Sequence, residues 1–503
     1  MPLNRLKRLV CLDEITGKNF TGLFVRMSVK IPVPLVVDLD GTLIRTDLLY
    51  QSLFYFVKQR PFQLLSPFIW LFKGKSHLKT ELAQRISIDI SVLPYNPEVI
   101  ALIECEKAKN RQIILATASH KIYASQVADH LNLFDRVLAT DDRYNLSSHA
   151  KRDCLVAEYG VGGFDYAGNS HADIPVWASA AKAYLVNPEK GVEQRAARNG
   201  NVVRIIKSPH RPFGVWLKAL RAHQWMKNLL IFVPLLAAHE LINSTALLNA
   251  LLAFVIFSLC ASSVYLLNDL MDLEDDRHHQ KKRSRPFASG VLSIKTGIIT
   301  VPLLLLAAFG SSLLFMPWHF TLILGIYYCV TFAYSISLKR VTAADIITLS
   351  FLYTLRILAG VFACNLIPTF WMLAFSMFIF LSLALVKRYS ELREARLNGN
   401  NEKTKGRGYY PADLEIISSL GAASGYLSVM VLALYIQDQS TIAMYHHPQI
   451  IWAACPVLLF WITRLWLLTN RGEMHDDPVI YAVTDKVSLI SGLVFGIIFW
   501  LAT

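Results

Sequence analysis

The sequence predicts a multidomain chain, with an N-terminal α/β domain that carries a helical cap and a C-terminal all-α membrane bundle of about nine transmembrane helices. The chain has 503 residues, of which 54% are hydrophobic, and its mean hydropathy is +0.38. These values are too high for one compact soluble domain. Up to about residue 200, short apolar runs alternate with helical patterns, which indicates a parallel sheet wrapped by helices. From about residue 229, apolar stretches long enough to cross a bilayer follow one another.

Five proline-free apolar runs predict the buried parallel strands of the first domain. They are Leu35–Asp38, Ile113–Thr117, Arg136–Thr140, Phe164–Ala167 and Ala183–Val186. The apolar stretch 48–72 is cut by Lys58-Gln59-Arg60-Pro61, so its pieces are too short to span a bilayer and favour helices of a cap.

The predicted division of the chain follows from these patterns. It comprises an N-terminal extension (1–32), the α/β domain (33–200, cap about 45–97), a linker (201–222) and the membrane domain (223–503). Because the first thirty residues are basic and patternless, both Met1 and Met27 are candidate translation starts.

The predicted transmembrane helices lie near 228–239, 244–267, 293–312, 318–336, 343–363, 369–387, 413–436, 449–468 and 486–502. The loops between them alternate between loops rich in Lys and Arg and loops without either. The positive-inside rule then predicts an inner-membrane protein with its α/β domain in the cytoplasm and its C-terminus outside. The net charge of +13 lies largely beside apolar segments, which favours contact with anionic lipid and argues against nucleic acid. The seven scattered cysteines predict neither a disulfide framework nor a zinc site.

An acidic run at the end of the second predicted span is the most informative motif. The residues that would share one face of a helix are Asn268, Asp269, Asp272 and Asp276. Carboxylates packed so closely repel one another unless a cation neutralises them, and hard oxygen ligands favour Mg²⁺, which keeps positions open for substrate phosphates. Basic residues that could bind the same phosphates follow at Lys282, Arg283 and Arg285. The alternative is a solvated, salt-bridged loop.

A second motif, Asp38-Leu39-Asp40-Gly41-Thr42, ends an apolar strand. Asp38 could attack phosphorus to form an aspartyl phosphate. Asp40 could protonate the leaving oxygen and then activate water. Over residues 33–190 the chain resembles the haloacid dehalogenase phosphatase superfamily, whose domains are Rossmann-like. The resemblance implies that Thr117 binds the phosphoryl group and that Lys151 offsets its charge.

The same resemblance implies a Mg²⁺ site formed by Asp38, Asp40, Asn169 and Asp173. Asn169 departs from the family, which has an acid there. An amide oxygen still ligates Mg²⁺ but brings no charge, so metal affinity or rate would be lower. A catalytically inactive regulatory domain is the alternative, and Asp173 could instead orient Lys151.

Over residues 211–503 the chain resembles the UbiA-type membrane prenyltransferase superfamily, through 268–276 and the Lys281–Gly290 loop. Members bind a diphosphate through Mg²⁺ on the acidic motif. Their usual second acidic motif is replaced here by Lys387-Arg388-Tyr389-Ser390-Glu391, which favours the decaprenyl-phosphate phosphoribosyltransferase branch. The further residues that this resemblance assigns to substrate binding are Lys227, Asn228, Tyr353, Arg356, Lys387, Arg388, Tyr389 and Glu391. Lys387 and Arg388 could instead be interfacial anchors.

The resemblance implies a Mg²⁺-dependent enzyme that transfers 5-phosphoribose from phosphoribosyl pyrophosphate to a polyprenyl phosphate of unknown length. Because the two halves would act consecutively, we hypothesise that the soluble domain dephosphorylates the lipid product. One alternative is a prenyltransferase that moves a prenyl group from a prenyl diphosphate to an aromatic or small acceptor, with an accessory or inactive phosphatase domain. Another is a transporter or membrane anchor that carries a phosphatase. The expected partners are the bilayer and the two substrates, and the sequence is compatible with a homo-oligomer.

Overall fold

A computed structural model describes residues 33–503 except 143, 208–211, 400–401, 404–406, 440–441, 443–444 and 475–476. The predicted extension (1–32) and the candidate start Met27 lie outside the described residues. The chain forms two compact units. Among the described residues, the first contains 33–219 together with Asp269–Ile299, and the second contains Leu220–Asn268 together with Thr300–Thr503. The acidic run from Asp269 onward and the basic loop therefore pack in the same unit as the α/β domain.

The first unit is built on a parallel sheet of six strands in the order β3-β2-β1-β4-β5-β6. The strands are β1 (Leu35–Val37), β2 (Ile113–His120), β3 (Arg136–Thr140), β4 (Asp165–Gly168), β5 (Ala183–Val186) and β6 (Val202–Ile206). The five predicted strands are confirmed. The N-terminal end of the predicted linker (201–222) was wrong, because β6 lies within it and pairs with β5.

Helices cover the sheet and bury an apolar core that includes Val36, Ile114, Phe164 and Trp177. They are Pro97–Ala108, Lys121–Leu131, His149–Tyr159, Ile174–Ser179 and Val192–Ala197, with the 3₁₀ helix His171–Asp173. The carboxyl ends of β1, β2 and β4 lie at one edge of the sheet, since β1 pairs in parallel with both neighbours. Ligands of open parallel sheets bind at that edge.

The predicted cap consists of short helices inserted after β1. They are Leu48–Gln59, Pro61–Gln63, Ser66–Phe72, Lys75–Arg85 and Ile90–Val92. The side chain of Asp47 caps the first of them by accepting from the amides of Leu49 and Tyr50. Pro61 lacks an amide hydrogen, which ends that helix after twelve residues. The same unit contains the helix Leu273–His278 and the 3₁₀ helix Lys282–Ser284.

The second unit makes the chain a multi-pass membrane protein. Among the described residues, seven helices are long and apolar enough to cross a membrane, and a pair bent by 78° could form an eighth span. The long helices are Ser244–Met271, Ile294–Phe315, Trp318–Ile336, Ala344–Ala363, Phe370–Leu397, Leu414–Gln437 and Ala454–Arg471. The bent pair is Pro478–Thr484 with Lys486–Ala502. The predicted count of about nine is close.

The first predicted span, 228–239, has a different structure. It forms the 3₁₀ helix Ala222–Phe232 followed by the short helix Val233–Ala237. This segment packs tightly on the helix Ala344–Ala363, because a Cβ on Gly360 would lie 2.0 Å from the carbonyl oxygen of Ile231. The remaining helical segments are Pro212–Ala219, Leu338–Arg340, Pro411–Asp413 and Pro448–Ala453.

Candidate active sites

The first candidate site lies at the carboxyl end of β1, where Asp38 is buried. Lys151 Nζ donates to Asp38 Oδ1 at 2.7 Å and to the Tyr166 hydroxyl oxygen at 2.9 Å. The Tyr166 hydroxyl in turn donates to Asp173 Oδ1 at 2.7 Å. Lys151 is thus held between the predicted nucleophile and a tyrosine that Asp173 orients. Burial raises the pKa of Asp38 to about 7, although Lys151 opposes the shift.

Asp40, the predicted acid and base, is fixed at the start of the cap. Its Oδ1 accepts from the backbone amide of Leu48 at 2.9 Å, and its Oδ2 accepts from the Ser119 hydroxyl. Burial raises the pKa of Asp40 to about 6, and the neighbouring Asp47 adds to the shift. A carboxyl group with a raised pKa can be protonated when it acts as a general acid and can then accept a proton from water.

Thr117 lies within β2 and Asn169 directly follows β4, the two strands beside β1. Thr117 is buried, and its hydroxyl oxygen accepts from the amide of Ser119 at 3.0 Å. The Asn169 amide packs against Gly41, where a Cβ would lie 2.2 Å from Asn169 Nδ2. Gly41 also has a φ of +77°, so two independent constraints require glycine in this turn.

The oxygen donors of this site fit Mg²⁺, but the Asp173 carboxylate is also engaged in other hydrogen bonds. Asp173 Oδ2 accepts from the amides of Asn169 and Ser170 and from the Ser170 hydroxyl, at 2.9–3.1 Å. Asp173 holds this loop and Tyr166, and its Oδ1 lies 3.7 Å from Lys151 Nζ; its role as a metal ligand and the alternative role of orienting Lys151 both stay predictions. Asp38 and the Asn169 carbonyl oxygen supply hard donors from the adjacent strands β1 and β4.

The second candidate site is the acidic run, and its backbone differs from the predicted single helix. The spanning helix ends at Met271, with Asn268 in its last turn. Asp272 has φ −104° and ψ 20°, and a separate helix begins at Leu273. The expectation that the four residues share one continuous helical face was therefore wrong.

Two of the carboxylates nevertheless lie together, because both contact the guanidinium of Arg285. Arg285 Nη1 lies 3.1 Å from Asp269 Oδ1 and 2.7 Å from Asp276 Oδ2. Asp269 and Asp276 are both buried, so their charges need compensation. Two carboxylates that converge on one positive atom also fit Mg²⁺, whose preferred ligands are carboxylate oxygens. Lys282 and Arg283, by contrast, are exposed on the 3₁₀ helix that precedes Arg285.

Asp272 is bound by a residue of the cap. Lys58 Nζ lies 2.7 Å from Asp272 Oδ1 and 2.7 Å from Asp275 Oδ2. Arg277, the next basic residue, donates to Gln51 of the same cap helix and to the carbonyl oxygen of Ala288. Basic side chains thus tie the acidic run to the cap.

The second unit contains a cluster of two lysines around one carboxylate. Lys227 Nζ lies 2.6 Å and Lys387 Nζ 3.1 Å from Asp477 Oδ2. The Tyr353 hydroxyl donates to Asp477 Oδ1 at 3.2 Å. Burial alone would raise the pKa of Asp477, but Lys387 and Lys227 hold it below its ordinary value. Three of the predicted substrate-binding residues therefore meet at an aspartate that the sequence did not single out.

Arg356 and Asn228, also predicted from the sequence, contact each other. Arg356 Nε donates to Asn228 Oδ1 at 2.9 Å, and Arg356 Nη2 donates to the Tyr327 hydroxyl oxygen at 3.1 Å. Asn228 Nδ2 donates to the Ser258 hydroxyl at 2.9 Å. The guanidinium also lies over the ring of Tyr353, 5.5 Å from its centroid. This buried arginine is held by neutral groups, and its charge is available to an anionic ligand.

The other predicted residues of the basic motif have protein partners. Arg388 is fully buried and pairs with Asp345 at 2.8 Å and with Glu391. Arg407 also pairs with Asp345, at 3.2 Å. The Tyr389 hydroxyl donates to Asn470 Oδ1 at 2.6 Å. These contacts favour a structural role for Arg388, and its predicted contact with substrate stays a prediction.

Sequence reasoning missed residues whose partners are far away in the chain. Asp477 is 250 residues from Lys227, and Lys58 is 214 residues from Asp272. One feature of the sequence could have pointed to Asp477, since an acid directly before a proline at a helix start is a typical N-cap. Tyr166 carried none, because a tyrosine in a buried strand usually packs in the core.

These features define a membrane-embedded helical enzyme that carries an α/β phosphatase-like domain. The profile of the UbiA prenyltransferase family matches residues 229–483, and that of haloacid dehalogenase-like hydrolases matches residues 35–177. The chain belongs to the UbiA prenyltransferase family and carries an N-terminal haloacid dehalogenase-like domain.

Three relatives extend this picture. The uncharacterized protein y4nM of Sinorhizobium fredii is 36% identical over 93% of this chain and 91% of its own length. The nodulation protein NoeC of Azorhizobium caulinodans is 38% identical over 57% of this chain and 94% of its own length. The decaprenyl-phosphate phosphoribosyltransferase of Mycobacterium tuberculosis is 29% identical over 57% of this chain and 92% of its own length. Both domains are thus present together in y4nM, since the similarity spans nearly all of both chains.

Proposed function

We propose that the membrane domain transfers 5-phosphoribose from phosphoribosyl pyrophosphate to a polyprenyl phosphate, and that the soluble domain removes the 5-phosphate from the product. The observation that carries the transferase assignment is the cluster of the buried Lys227 and the half-buried Lys387 around Asp477. With both lysines protonated, two ammonium groups and one carboxylate leave one net positive charge. That charge suits a phosphate acceptor, whereas an aromatic acceptor would leave it without compensation.

In the proposed transfer the acidic run receives the diphosphate of the donor. Asp269, Asp272 and Asp276 would hold Mg²⁺, which when bound would neutralise the departing pyrophosphate. Arg285, which pairs with Asp269 and Asp276, would donate hydrogen bonds to the same diphosphate. The lipid phosphate oxygen then forms the bond to the anomeric carbon as the bond to pyrophosphate breaks.

Lys227 and Lys387 would bind the acceptor phosphate, and Tyr353 and Asp477 would keep the two ammonium groups in position. Arg356 would contribute a further buried positive charge, because its protein partners are neutral.

The phosphatase step follows from the contacts of Asp38. Its carboxylate would attack phosphorus while Asp40 protonates the leaving 5-oxygen of the ribose, which gives an aspartyl phosphate. Asp40 would then accept a proton from the water that hydrolyses this intermediate, and inorganic phosphate leaves. Lys151 balances the charge of the phosphoryl group throughout. The hydrogen-bonded set of Asp38, Lys151 and Tyr166 supports an active domain over an inactive one.

The alternative is prenyl transfer from a prenyl diphosphate to a small acceptor, the reaction after which the family is named. Purified protein supplied with radiolabelled phosphoribosyl pyrophosphate and polyprenyl phosphate tests the two assignments. We expect labelled lipid in the wild type and none in Asp272→Ala that inserts normally. Absence of labelled lipid, with turnover of a prenyl diphosphate and an aromatic acceptor, would favour the alternative. Absence of both activities would favour the transporter or anchor.

We further propose that the protein resides in the inner membrane with both sites facing the cytoplasm. The distribution of Lys and Arg among the loops supports this orientation, as does the charge of the donor, which does not cross bilayers unaided.

A further inference from the structure

The cap carries an unusually apolar exposed surface. In the twelve-residue segment Pro61–Phe72, here called the apolar segment, seven large hydrophobic side chains are exposed. They are Phe62, Leu64, Leu65, Phe68, Ile69, Leu71 and Phe72. Contiguous exposed apolar surface of this kind marks an interaction site, whereas single exposed hydrophobic residues are ordinary.

Four of the exposed side chains form one helical stripe. Leu65, Phe68, Ile69 and Phe72 have spacings of three and four residues and are 74%, 63%, 57% and 92% exposed. The opposite face packs on the cap, since Trp70 contacts Phe56 edge to face with ring centroids 5.0 Å apart. The helix is thus anchored by one face and presents the other outward.

Two observations relate this stripe to a spanning helix. The segment begins three residues after Lys58, whose ammonium lies 2.7 Å from Asp272 Oδ1. Asp272 directly follows Met271, the last residue of a helix long and apolar enough to cross a membrane. The apolar segment is therefore close in the chain to a lysine that binds the residue directly after that helix.

The charges around the segment agree with this position. Arg60 precedes it, and Lys73 and Lys75 follow it, and all three side chains are exposed. An apolar stripe flanked by basic residues is the pattern of a helix that lies in the interface of an anionic membrane.

We propose that the apolar segment inserts into the lipid interface and fastens the phosphatase cap to the bilayer. Its consequence follows from the helix Leu48–Gln59, whose first residue donates its amide to Asp40 and whose end carries Lys58. A helix of twelve residues is about 18 Å long. One short helix thus links the phosphatase acid to the residue that follows the spanning helix, and a cap fastened to the bilayer would bring that acid toward the headgroup of a lipid-linked substrate.

The full-length wild-type protein in nanodiscs that contain phosphatidylglycerol and a phospholipid with a photoactivatable acyl chain provides the test. Illumination and peptide mapping should show lipid adducts on residues 61–72 at levels comparable with the spanning helices. The exposed apolar residues Val161 and Val203 elsewhere in the α/β domain serve as controls and should stay unlabelled. Labelling of 61–72 no higher than at these controls would overturn the proposal. Because labelling needs no turnover, its outcome is independent of the proposed reaction.

A photoreactive benzoylphenylalanine placed at either face of the helix provides a matched second test. At Phe72, on the outer stripe, it should crosslink to phospholipid, and at Trp70, on the inner face, it should crosslink within the chain. Crosslinking of Phe72 to a second protein chain would assign the surface to a protein partner and would contradict the proposal.

Discussion

Replacement of Lys58 by Met should tighten divalent-metal binding at the acidic run. Lys58 is the cap residue that pairs with Asp272 and Asp275, and Asp272 is a proposed metal ligand. The side chains of Lys58 and Asp272 are 20% and 15% exposed, so the pair is intermediate between a surface and a buried ion pair. Surface pairs contribute about 0–1 kcal/mol, and breaking a buried pair costs about 3–5 kcal/mol.

A value of about 1–2 kcal/mol for the Lys58 pair corresponds to a factor of roughly 5–30 in affinity. If bound metal displaces Lys58 from Asp272, methionine at this position should lower the Kd for metal by that factor. Methionine keeps the apolar stem of lysine, so the packing of the cap helix is preserved.

Mn²⁺ binding to the purified full-length protein, followed by electron paramagnetic resonance, measures the effect. An Asp38→Asn background weakens the soluble site, so that the acidic run dominates the signal. Lys182→Met, which removes an exposed lysine of the same domain, is the matched control. An unchanged or weaker Mn²⁺ affinity in Lys58→Met would refute the competition between lysine and metal.

Three further changes test individual contacts. Tyr166→Phe removes hydrogen bonds to two charged side chains, which are worth about 1.5–3 kcal/mol each. The phosphatase kcat should therefore fall about tenfold or more, while the transferase still forms lipid-linked ribose. Asp477→Asn leaves the buried Lys227 and the half-buried Lys387 without their carboxylate and should destabilise the membrane domain by about 3 kcal/mol, so an unchanged Tm in detergent would contradict the proposed cluster. Gly421→Ala would place a Cβ 2.0 Å from the Trp466 ring and should lower the free energy of unfolding by about 1–3 kcal/mol. At Gly310, the control, a Cβ meets open space, so Gly310→Ala should leave the thermal transition unchanged.

The sequence predicts the sheet and most of the spans because their signals are local. Runs such as Ile113–Thr117 and the long apolar stretches each carry their own periodicity and length. The sequence did not predict strand β6 (Val202–Ile206), because this run lies between the apparent end of the α/β domain and a segment rich in Pro, His and basic residues. Its identity as a strand depends on pairing with β5.

The candidate sites were predictable only where a motif lies within one short segment. Asp38 and Asp40 belong to one strand end, and Asp269 and Asp276 to one acidic run. The helix break at Asp272 could not be predicted from the sequence, because no Gly or Pro marks it. The contact of Lys58 with Asp272 depends on how distant segments pack, and local patterns carry no information about that.

The most direct test of the two-step reaction is the mass of the lipid product. Wild-type protein given phosphoribosyl pyrophosphate and a polyprenyl phosphate should accumulate a lipid-linked ribose without its 5-phosphate. Asp38→Asn should accumulate the same lipid with the 5-phosphate retained, since only the second step is lost. Identical products from the two proteins would contradict the assignment of the phosphatase domain, and no ribosylated lipid from either would contradict the transferase on which it depends.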